Sequence, residues 1–317
     1  MIPFGAFRIG KMFLFMFNVF ILFAEFFMLI GQIYAIVFEM CKQLIFPVKR
    51  KSVQGKKVLI TGAGGCIGRE LAIKFSRLGA TIIVLDRNKH KGEETVAQVR
   101  QRGGIAFFFE VDVSNYAWVG DALDKVYQTV GPVDIAINNA GILNARPITR
   151  LSEEMVAETI KVNLLGQMWV TKQILPRMVA EKQGHIVAIA SNSAIFGKTF
   201  LTDYSSSKAG VIGFMSALEE ELRYEKKDYI KLTTICPAAI DTGLSAAVET
   251  RFPRLLPILN VQKAADIMIE NILREEPFVI MPLGYKILYY ILRNLPYKIE
   301  ILVRDFIGNT VEAKPCD

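Results

Sequence analysis

A tyrosine and a lysine, Tyr204 and Lys208, stand four residues apart in a segment that predicts a helix. Residues at this spacing lie one turn apart on the same face of a helix. A tyrosine hydroxyl, with its reference pKa of about 10, is a poor base at neutral pH, but a nearby ammonium group favours the ionised form. The pair therefore indicates a general acid/base, Tyr204, with Lys208 as its electrostatic partner. The alternative is an ordinary surface tyrosine and lysine.

A second chemical signal is the glycine-rich run Thr61-Gly62-Ala63-Gly64-Gly65-Cys66-Ile67-Gly68, which follows the first predicted strand and precedes a predicted helix over 69–78. Glycines at such a position permit a tight turn and the close approach of a pyrophosphate to a helix N-terminus, where free N–H groups attract anions. A strand-to-helix turn alone would also explain the glycines, so their place at the first strand carries the prediction of dinucleotide binding. The residues expected at the cofactor are Gly62, Gly65, Cys66, Ile67 and Gly68.

The elements that must position these residues alternate between short β-rich runs and helical patterns. Parallel strands need crossover helices on the faces of the sheet, so this alternation predicts an α/β fold with a doubly wound, parallel, seven-stranded sheet. The predicted strands lie at 58–61, 81–86, 106–113, 134–138, 185–191, 231–236 and 278–281.

The front of the chain predicts a membrane anchor over residues 1–41. The segment 12–38 is apolar except for Asn18, Glu25 and Gln32, and a spanning helix takes about 20 residues. No small-residue cleavage site typical of a signal peptide follows it. The polar residues recur at intervals of seven, so a helix lying in the membrane interface stays a second option.

Three further segments complete the predicted organisation. Residues 42–56 form a basic linker in which Pro47 ends the helix, and residues 57–282 form the catalytic domain. Residues 283–317 begin with an apolar and aromatic segment that carries Lys286, Arg293, Lys298 and Arg304. This pattern predicts an amphipathic segment that docks on a membrane or covers the site.

Composition excludes several classes of function. The chain of 317 residues is 52% hydrophobic and has a formal net charge of +7, but its basic residues form no long stripe with interleaved aromatics, so no nucleic acid is expected. Four scattered cysteines without a Cys-x-x-Cys pair indicate a reducing compartment rather than disulfides. His90 and His185 stand apart from each other and from the cysteines, so no metal is assigned.

Three further motifs accompany the glycine loop in the expected order: Asn138-Asn139-Ala140-Gly141, Asn163, and Tyr204-Ser205-Ser206-Ser207-Lys208. Together they resemble the short-chain dehydrogenase/reductase family over nearly all of 57–281. The anchor and the segments 86–90, 163–167 and 251–259 are similar to a membrane-bound group of this family. That group includes retinol dehydrogenases, retinal reductases and lipid-droplet 17-beta-hydroxysteroid dehydrogenases. The resemblance implies a Rossmann fold, a nicotinamide cofactor and a lipophilic alcohol or carbonyl as substrate.

The resemblance also implies roles for residues outside the first two motifs. Ser191, with Ser193 as the alternative, would hydrogen-bond the reacting oxygen, and Asn163 would help to hold a water relay to the lysine. Tyr204 and Lys208 would also border the cofactor, with Lys208 hydrogen-bonded to its ribose. The other residues expected at the cofactor are Asp112, Val113, Asn139, Ala140, Gly141, Pro237 and Thr242.

The choice between the two nicotinamide cofactors depends on Asp86 at the end of the second strand. A carboxylate there accepts hydrogen bonds from the adenosine ribose hydroxyls and repels a 2′-phosphate, which favours NAD. Arg87 follows directly and leaves NADP open, and a simple helix-capping role for Asp86 is the other interpretation.

Two positions depart from the family pattern. Cys66 stands where the usual T-G-x-x-x-G-x-G loop has a glycine, although the same residues fit T-G-x-x-G-x-x-G, as in sugar-nucleotide epimerases. Ala238 replaces the glycine that usually follows Pro237, and we expect a small local adjustment there.

The expected function is the interconversion of a lipophilic alcohol and its carbonyl. A catalytically weak scaffold on a lipid surface is the first alternative, and epimerase-like chemistry is the second. We expect the anchor in the endoplasmic reticulum membrane, on lipid droplets or in both, with the catalytic domain in the cytosol. A homodimer is left open.

Overall fold

The computed structural model describes residues 4–45, 49–242, 248–249, 251–308 and 310–311. Contacts divide the chain into two units, one that ends at Arg50 and one that begins at Lys51. Pro47, which the sequence predicts as the end of the anchor helix, lies outside the described residues.

The first unit contains one long helix, α1 (Phe4–Ile45). Its segment Phe15–Glu39 has a mean hydropathy of 2.1, and its most apolar stretch has no residue buried inside the protein. By length and composition, this helix is able to cross a bilayer.

The second unit is built on a seven-stranded sheet in which every neighbouring pair of strands is parallel. The predicted α/β, doubly wound Rossmann fold is confirmed. The strand order is β7-β6-β5-β4-β1-β2-β3. The strands are β1 (Lys57–Thr61), β2 (Thr81–Asp86), β3 (Ala106–Glu110), β4 (Ile135–Asn138), β5 (Gly184–Ile189), β6 (Ile230–Pro237) and β7 (Phe278–Met281).

Helices cover both faces of this sheet. Alternate residues of β1 show why: Val58 and Ile60 belong to the apolar core shared with α2, α3 and α8, whereas Leu59 belongs to the core shared with α4, α6 and α7. The helices of this unit are α2 (Cys66–Arg77), α3 (Lys89–Gln101), α4 (Tyr116–Thr129), α5 (Glu153–Ile160), α6 (Gly166–Ala180), α7 (Thr202–Tyr224), α8 (Val261–Leu273), α9 (Leu283–Leu292) and α10 (Tyr297–Ile307).

The strand order reverses between β1 and β4, which are neighbours in the sheet but distant in the chain. In open α/β sheets, a crevice for ligands lies outside the carboxyl ends of the strands at such a switch point. The sheet therefore places the candidate site at this edge.

The C-terminal apolar segment forms two helices, since Pro296 caps the start of α10. Helix α9 buries Tyr285 and Leu292. Both helices also expose large apolar side chains, while residues 312–317 lie outside the described part of the chain.

The amino ends of the strands lie opposite the candidate site. His185 is buried there, near the start of β5. Its Nε2 lies 2.8 Å from the Thr233 hydroxyl, and its Nδ1 lies 2.7 Å from the Lys51 ammonium group. Lys51 also forms an ion pair with Glu275 at 3.0 Å. His185 thus ties the first residue of the second unit to the sheet, at the end of the strands away from the candidate site.

Candidate active site

A cavity of about 480 Å³ lies at the carboxyl ends of the strands. Every residue that the sequence assigns to the site lines this cavity, with the exception of Asn163. The lining residues among them are Gly62, Gly65, Cys66, Ile67, Gly68, Asp86, Asp112, Val113, Asn139, Ala140, Gly141, Ser191, Tyr204, Lys208, Pro237 and Thr242.

The glycine loop turns more tightly than the sequence predicts. The Gly65 amide donates to the Gly62 carbonyl at 3.1 Å, and α2 begins at Cys66 rather than at Arg69. Gly62 has a φ of +64°, in the left-handed region that glycine adopts most readily. Because Gly65 has no side chain to cap the helix, the first N–H groups of α2 are left to bind an anion at the cavity wall.

Cys66 is the first residue of α2 and is exposed. Its thiol lies 3.5 Å from the Thr242 carbonyl, across the cavity edge. The departure from the usual loop therefore keeps a helix N-terminus at the cavity. The second departure, Ala238, donates its amide to the Met281 carbonyl at 2.8 Å, which joins the end of β6 to β7.

A clamp of hydrogen bonds joins the ends of β1 and β4. The Thr61 hydroxyl accepts from the amides of Asn139 and Ala140 at 2.9 and 3.0 Å. The Asn139 side chain donates to the carbonyls of Thr61 and Gly62 at 3.0 and 3.2 Å. The two motifs that the sequence places at the cofactor thus hold each other in position.

Asp86 ends β2 with its carboxylate fixed beside the glycine loop. One oxygen accepts from the Gly64 amide and the other from the Asn88 amide, both at 2.8 Å. A Cβ at Gly64 would lie 2.9 Å from this carboxylate, so only glycine fits there. The side chain of Arg87 is 60% exposed and lies 3.7 Å from Glu158. Asp86 is therefore built into the cavity wall, whereas Arg87 lies at its rim.

Asp112 and Val113 follow β3 instead of ending it, because the strand stops at Glu110. The Asp112 carboxylate accepts from the Ser114 amide at 2.9 Å. Both residues line the cavity near Asp86, since β3 pairs with β2 and Glu110 is the register partner of Asp86.

Tyr204 and Lys208 both lie on α7, as predicted, one turn apart and facing the cavity. The Lys208 ammonium group donates to the Ile189 carbonyl at 2.8 Å and lies 5.8 Å from the centre of the Tyr204 ring. Burial lowers the pKa of Lys208 to about 8. Burial also raises the pKa of Tyr204 and outweighs the lowering by its hydrogen bond with Ser191, so the shift is opposite to the one that the sequence predicts from a nearby ammonium group. Water exclusion is the larger effect on both groups.

Ser191 lies two residues beyond the end of β5, and its side-chain hydrogen bond with Tyr204 acts to lower the pKa of the tyrosine, against the effect of burial. Its own hydroxyl accepts from the Ser193 hydroxyl at 3.0 Å and from the Ser193 amide at 3.1 Å. The two serines that the sequence offers as alternatives are thus consecutive members of one chain of hydroxyls, and Ser191 is the member in contact with Tyr204.

Asn163 lies behind the cavity wall, in a π-helical turn (Lys161–Leu165) between α5 and α6. Its side chain accepts from the Ile142 amide at 2.8 Å and donates to the Ile142 carbonyl at 2.9 Å. It also donates to the Ser207 hydroxyl at 3.1 Å, beside Lys208. The observed contacts make Asn163 a positioning residue that holds the loop after β4 against α7.

Some residues that line the cavity were not predicted from the sequence. Leu143 and Leu201 form a small apolar cluster with Ala145, against which Tyr204 packs. Lys198 and Tyr285 complete this part of the wall. No spacing rule predicts them, because Tyr285 reaches the cavity only when α9 folds back on the domain.

The residues present fit a bound dinucleotide. The uncapped start of α2 suits a pyrophosphate, and the fixed Asp86 carboxylate suits a ribose. Tyr204, Lys208 and Ser191 lie on the other side of the strand-order reversal, where a nicotinamide ring would reach. The cavity thus joins a cofactor half, near β1 and β2, to a reaction half, near β5 and α7.

Comparison with known proteins gives consistent results. The sequence model of the short chain dehydrogenase family matches residues 56–251. Epidermal retinol dehydrogenase 2 of Homo sapiens is 36% identical over 279 residues, which cover 86% of this chain and 89% of that protein. The 17-beta-hydroxysteroid dehydrogenase 13 of Homo sapiens is 34% identical over 286 residues, which cover 90% and 94% of the two chains.

Among solved structures, a short chain dehydrogenase/reductase from Burkholderia phymatum in complex with NAD is similar, with a TM-score of 0.70 and 23% identity. The match covers 84% of this chain and 99% of that one. At this identity the likeness concerns the fold.

Proposed function

Because the chain belongs to the short-chain dehydrogenase family, we propose that it interconverts a lipophilic alcohol and its carbonyl, with a nicotinamide cofactor in the cavity. The observation that supports this most directly is the placement of Tyr204, Lys208 and Ser191 on one wall, opposite the glycine loop. When bound, the nicotinamide ring supplies or accepts the hydride.

The side chains on this wall move the proton that must accompany the hydride. In oxidation the Tyr204 hydroxyl, as its anion, accepts the proton of the alcohol, and in reduction it donates a proton to the carbonyl oxygen. The Ser191 hydroxyl, already paired with Tyr204, holds the reacting oxygen. Lys208 is fixed by the Ile189 carbonyl and its positive charge favours the tyrosine anion.

An apolar substrate is supported by the wall beside Tyr204. Leu143 and Leu201 pack against the tyrosine and offer no hydrogen-bonding side chains to a substrate. Retinoids, steroids and long-chain alcohols are the candidates that the relatives' names suggest.

The proposed function is tested by a substrate panel. The membrane-embedded protein is assayed with retinoids, steroids and fatty alcohols, and with the matching carbonyls, in the presence of NAD(H) or NADP(H). Reduction or oxidation of the nicotinamide with at least one class is expected. Absence of turnover in either direction with every substrate of the panel would favour the alternative function, a catalytically weak scaffold on a lipid surface.

We predict a preference for NAD(H) over NADP(H). A 2′-phosphate would meet the Asp86 carboxylate, which the amides of Gly64 and Asn88 fix in place. Dissociation constants measured by fluorescence titration should favour NADH, and Asp86→Ser should narrow the difference. Tighter binding of NADPH by the wild type would mean that Arg87 outweighs Asp86.

The C-terminal surface is proposed to lie on a lipid layer. We define it as the exposed apolar side chains of α9 and α10 with the exposed basic residues beside them. Its apolar members are exposed by 36–71%, and such a patch is costly in water. Its basic members complement anionic lipid headgroups. The residues are Leu283, Lys286, Ile287, Tyr290, Ile291, Arg293, Tyr297, Lys298, Ile299, Ile301, Leu302 and Phe306.

We predict that the catalytic unit faces the cytosol. Lys42, Lys49 and Arg50 follow the apolar segment, with further lysines at 51, 56 and 57, whereas only Arg8 and Lys11 precede it. Flanking Lys and Arg residues favour the cytosolic side. Protease added to sealed microsomes should digest the catalytic unit. Protection that lasts until detergent is added would reverse this orientation. Endoplasmic reticulum and lipid-droplet membranes both present such a cytosolic face.

A further inference from the structure

Lys198 is a cation in the reaction half of the cavity to which the proposed chemistry gives no role. It lies on the loop between Ser191 and α7 and lines the same cavity as Tyr204. Its carbonyl accepts from the Leu201 amide at 3.2 Å, which fixes the backbone of this loop. Lys198 shares the cavity lining with Leu143 and Leu201 of the apolar cluster.

The ammonium group of Lys198 has no acidic partner among the described residues. The charged group that acts on it is another cation, Arg304 of α10. Arg304 is itself engaged, because it donates to the Gly197 carbonyl at 2.8 Å and pairs with Glu300 at 3.4 Å. Burial, with a smaller contribution from the nearby charge of Arg304, lowers the pKa of Lys198 to about 8. A half-buried cation in this state is stabilised when an anion enters the cavity.

The position of Lys198 in the fold indicates that the anion it would bind is not part of the cofactor. The glycine loop and Asp86 follow β1 and β2, whereas the Lys198 loop follows β5, on the other side of β4 in the sheet. The loop also packs toward the C-terminal helices, with Phe196 against Tyr289 at 6.4 Å between ring centres. Lys198 is thus on the substrate side of the reaction half.

We propose that Lys198 binds a carboxylate carried by the substrate, so that the substrate class is a lipophilic hydroxy acid or oxo acid rather than a neutral alcohol or ketone. The inference rests on the proposed function for the oxidation or reduction of the substrate. Binding of the carboxylate by Lys198 can be measured without turnover. The apolar wall receives the hydrocarbon, Tyr204 receives the reacting oxygen, and Lys198 receives the carboxylate.

The test compares hydroxystearic acids, with the hydroxyl at different positions along the chain, with their own methyl esters. All are presented in nonionic detergent micelles to the full-length protein, so that no surface charge favours the acid. For wild type we expect the ratio of kcat/KM for acid to that for ester to be roughly 10 to 100 for the best isomer, the range for a hydrogen bond to a charged group. Lys198→Met should bring this ratio to about 1, and Lys198→Arg should retain most of it.

Lys125→Met is the matched control, because Lys125 is an exposed lysine of α4 that does not line the cavity. It should leave the ratio unchanged. A wild-type ratio near 1, or a ratio that survives in Lys198→Met, would overturn the proposal.

Failure of this inference is distinguishable from failure of the proposed function. Dissociation constants of the same acids and esters are measured by displacement of a fluorescent fatty acid, without turnover. Weaker acid binding in Lys198→Met alone would support the carboxylate site even if the panel shows no dehydrogenase activity. Turnover of neutral alcohols with equal binding of acid and ester would retain the dehydrogenase and remove the carboxylate site.

Discussion

Replacement of Tyr204 by phenylalanine is expected to lower turnover by at least about a hundredfold, the contribution typical of a general acid/base. The ring keeps its packing against the Leu143 and Leu201 cluster, so the fold should persist. The change removes only the hydroxyl that hydrogen-bonds Ser191. Turnover is measured on the best substrate of the panel, and cofactor affinity by fluorescence titration.

The matched control for this change is Tyr224→Phe. Tyr224 lies on the same helix, α7, and is 89% exposed, so loss of its hydroxyl should change neither turnover nor stability. Comparable turnover of Tyr204→Phe and wild type would remove Tyr204 from the mechanism. A large loss of thermal stability in Tyr204→Phe would instead point to a structural role.

The pH profile of the wild type gives a second measurement. Carbonyl reduction needs Tyr204 protonated and Lys208 charged. Because the pKa of Tyr204 is raised and that of Lys208 is lowered to about 8, Lys208 loses its proton first as the pH rises. For reduction, kcat/KM should therefore fall as the pH rises through about 8. A profile that stays level well above this pH would contradict the role of the charge on Lys208.

The fold could be predicted from the sequence because each strand is a short apolar run between two helical patterns. Strands β1 and β2 were predicted to within one residue. The ends of β3 and β5 were less exact, because Val111, Val113 and Ala190 continue the apolar pattern after strand pairing has stopped. Apolar character extends into the loops there because those loops line the cavity.

The cofactor half of the site could be predicted equally well, since its residues follow the strands at fixed distances. The reaction half could be predicted only in part. Tyr204, Lys208 and Ser191 belong to one continuous segment, but Tyr285 reaches the same wall from a helix far along the chain. Lys198 carries no signal in the sequence, because what distinguishes it is that folding leaves it without an acidic partner among the residues that the structure describes.

The pKa values of Tyr204 and Lys208 show what the spacing of two residues in the sequence does not predict. The four-residue spacing gives the correct helix face for both side chains. It does not give the degree of burial, which raises the pKa of Tyr204 and lowers that of Lys208.

Replacement of Gly68 by alanine is expected to distort the cofactor loop. A Cβ at this position would lie 2.6 Å from the Gly62 carbonyl oxygen and 2.7 Å from the Ala63 Cα, both backbone atoms that cannot rotate away. Overpacking of this kind costs about 1–3 kcal/mol. The free energy of unfolding should fall by that amount, and the dissociation constant of NADH should rise by roughly tenfold or more, because the start of α2 moves.

Gly213→Ala is the control for this last change, since Gly213 lies within α7 and a Cβ there meets no atom within 4 Å. Alanine in a helix interior should be neutral or stabilising by about 0.5–1 kcal/mol. Both variants are compared with wild type by thermal unfolding in detergent, with and without NADH. If Gly68→Ala unfolds at the wild-type temperature and binds NADH as tightly, the turn formed by Gly62 and Gly65 is not the one that holds the cofactor, and the pyrophosphate must bind elsewhere in the cavity.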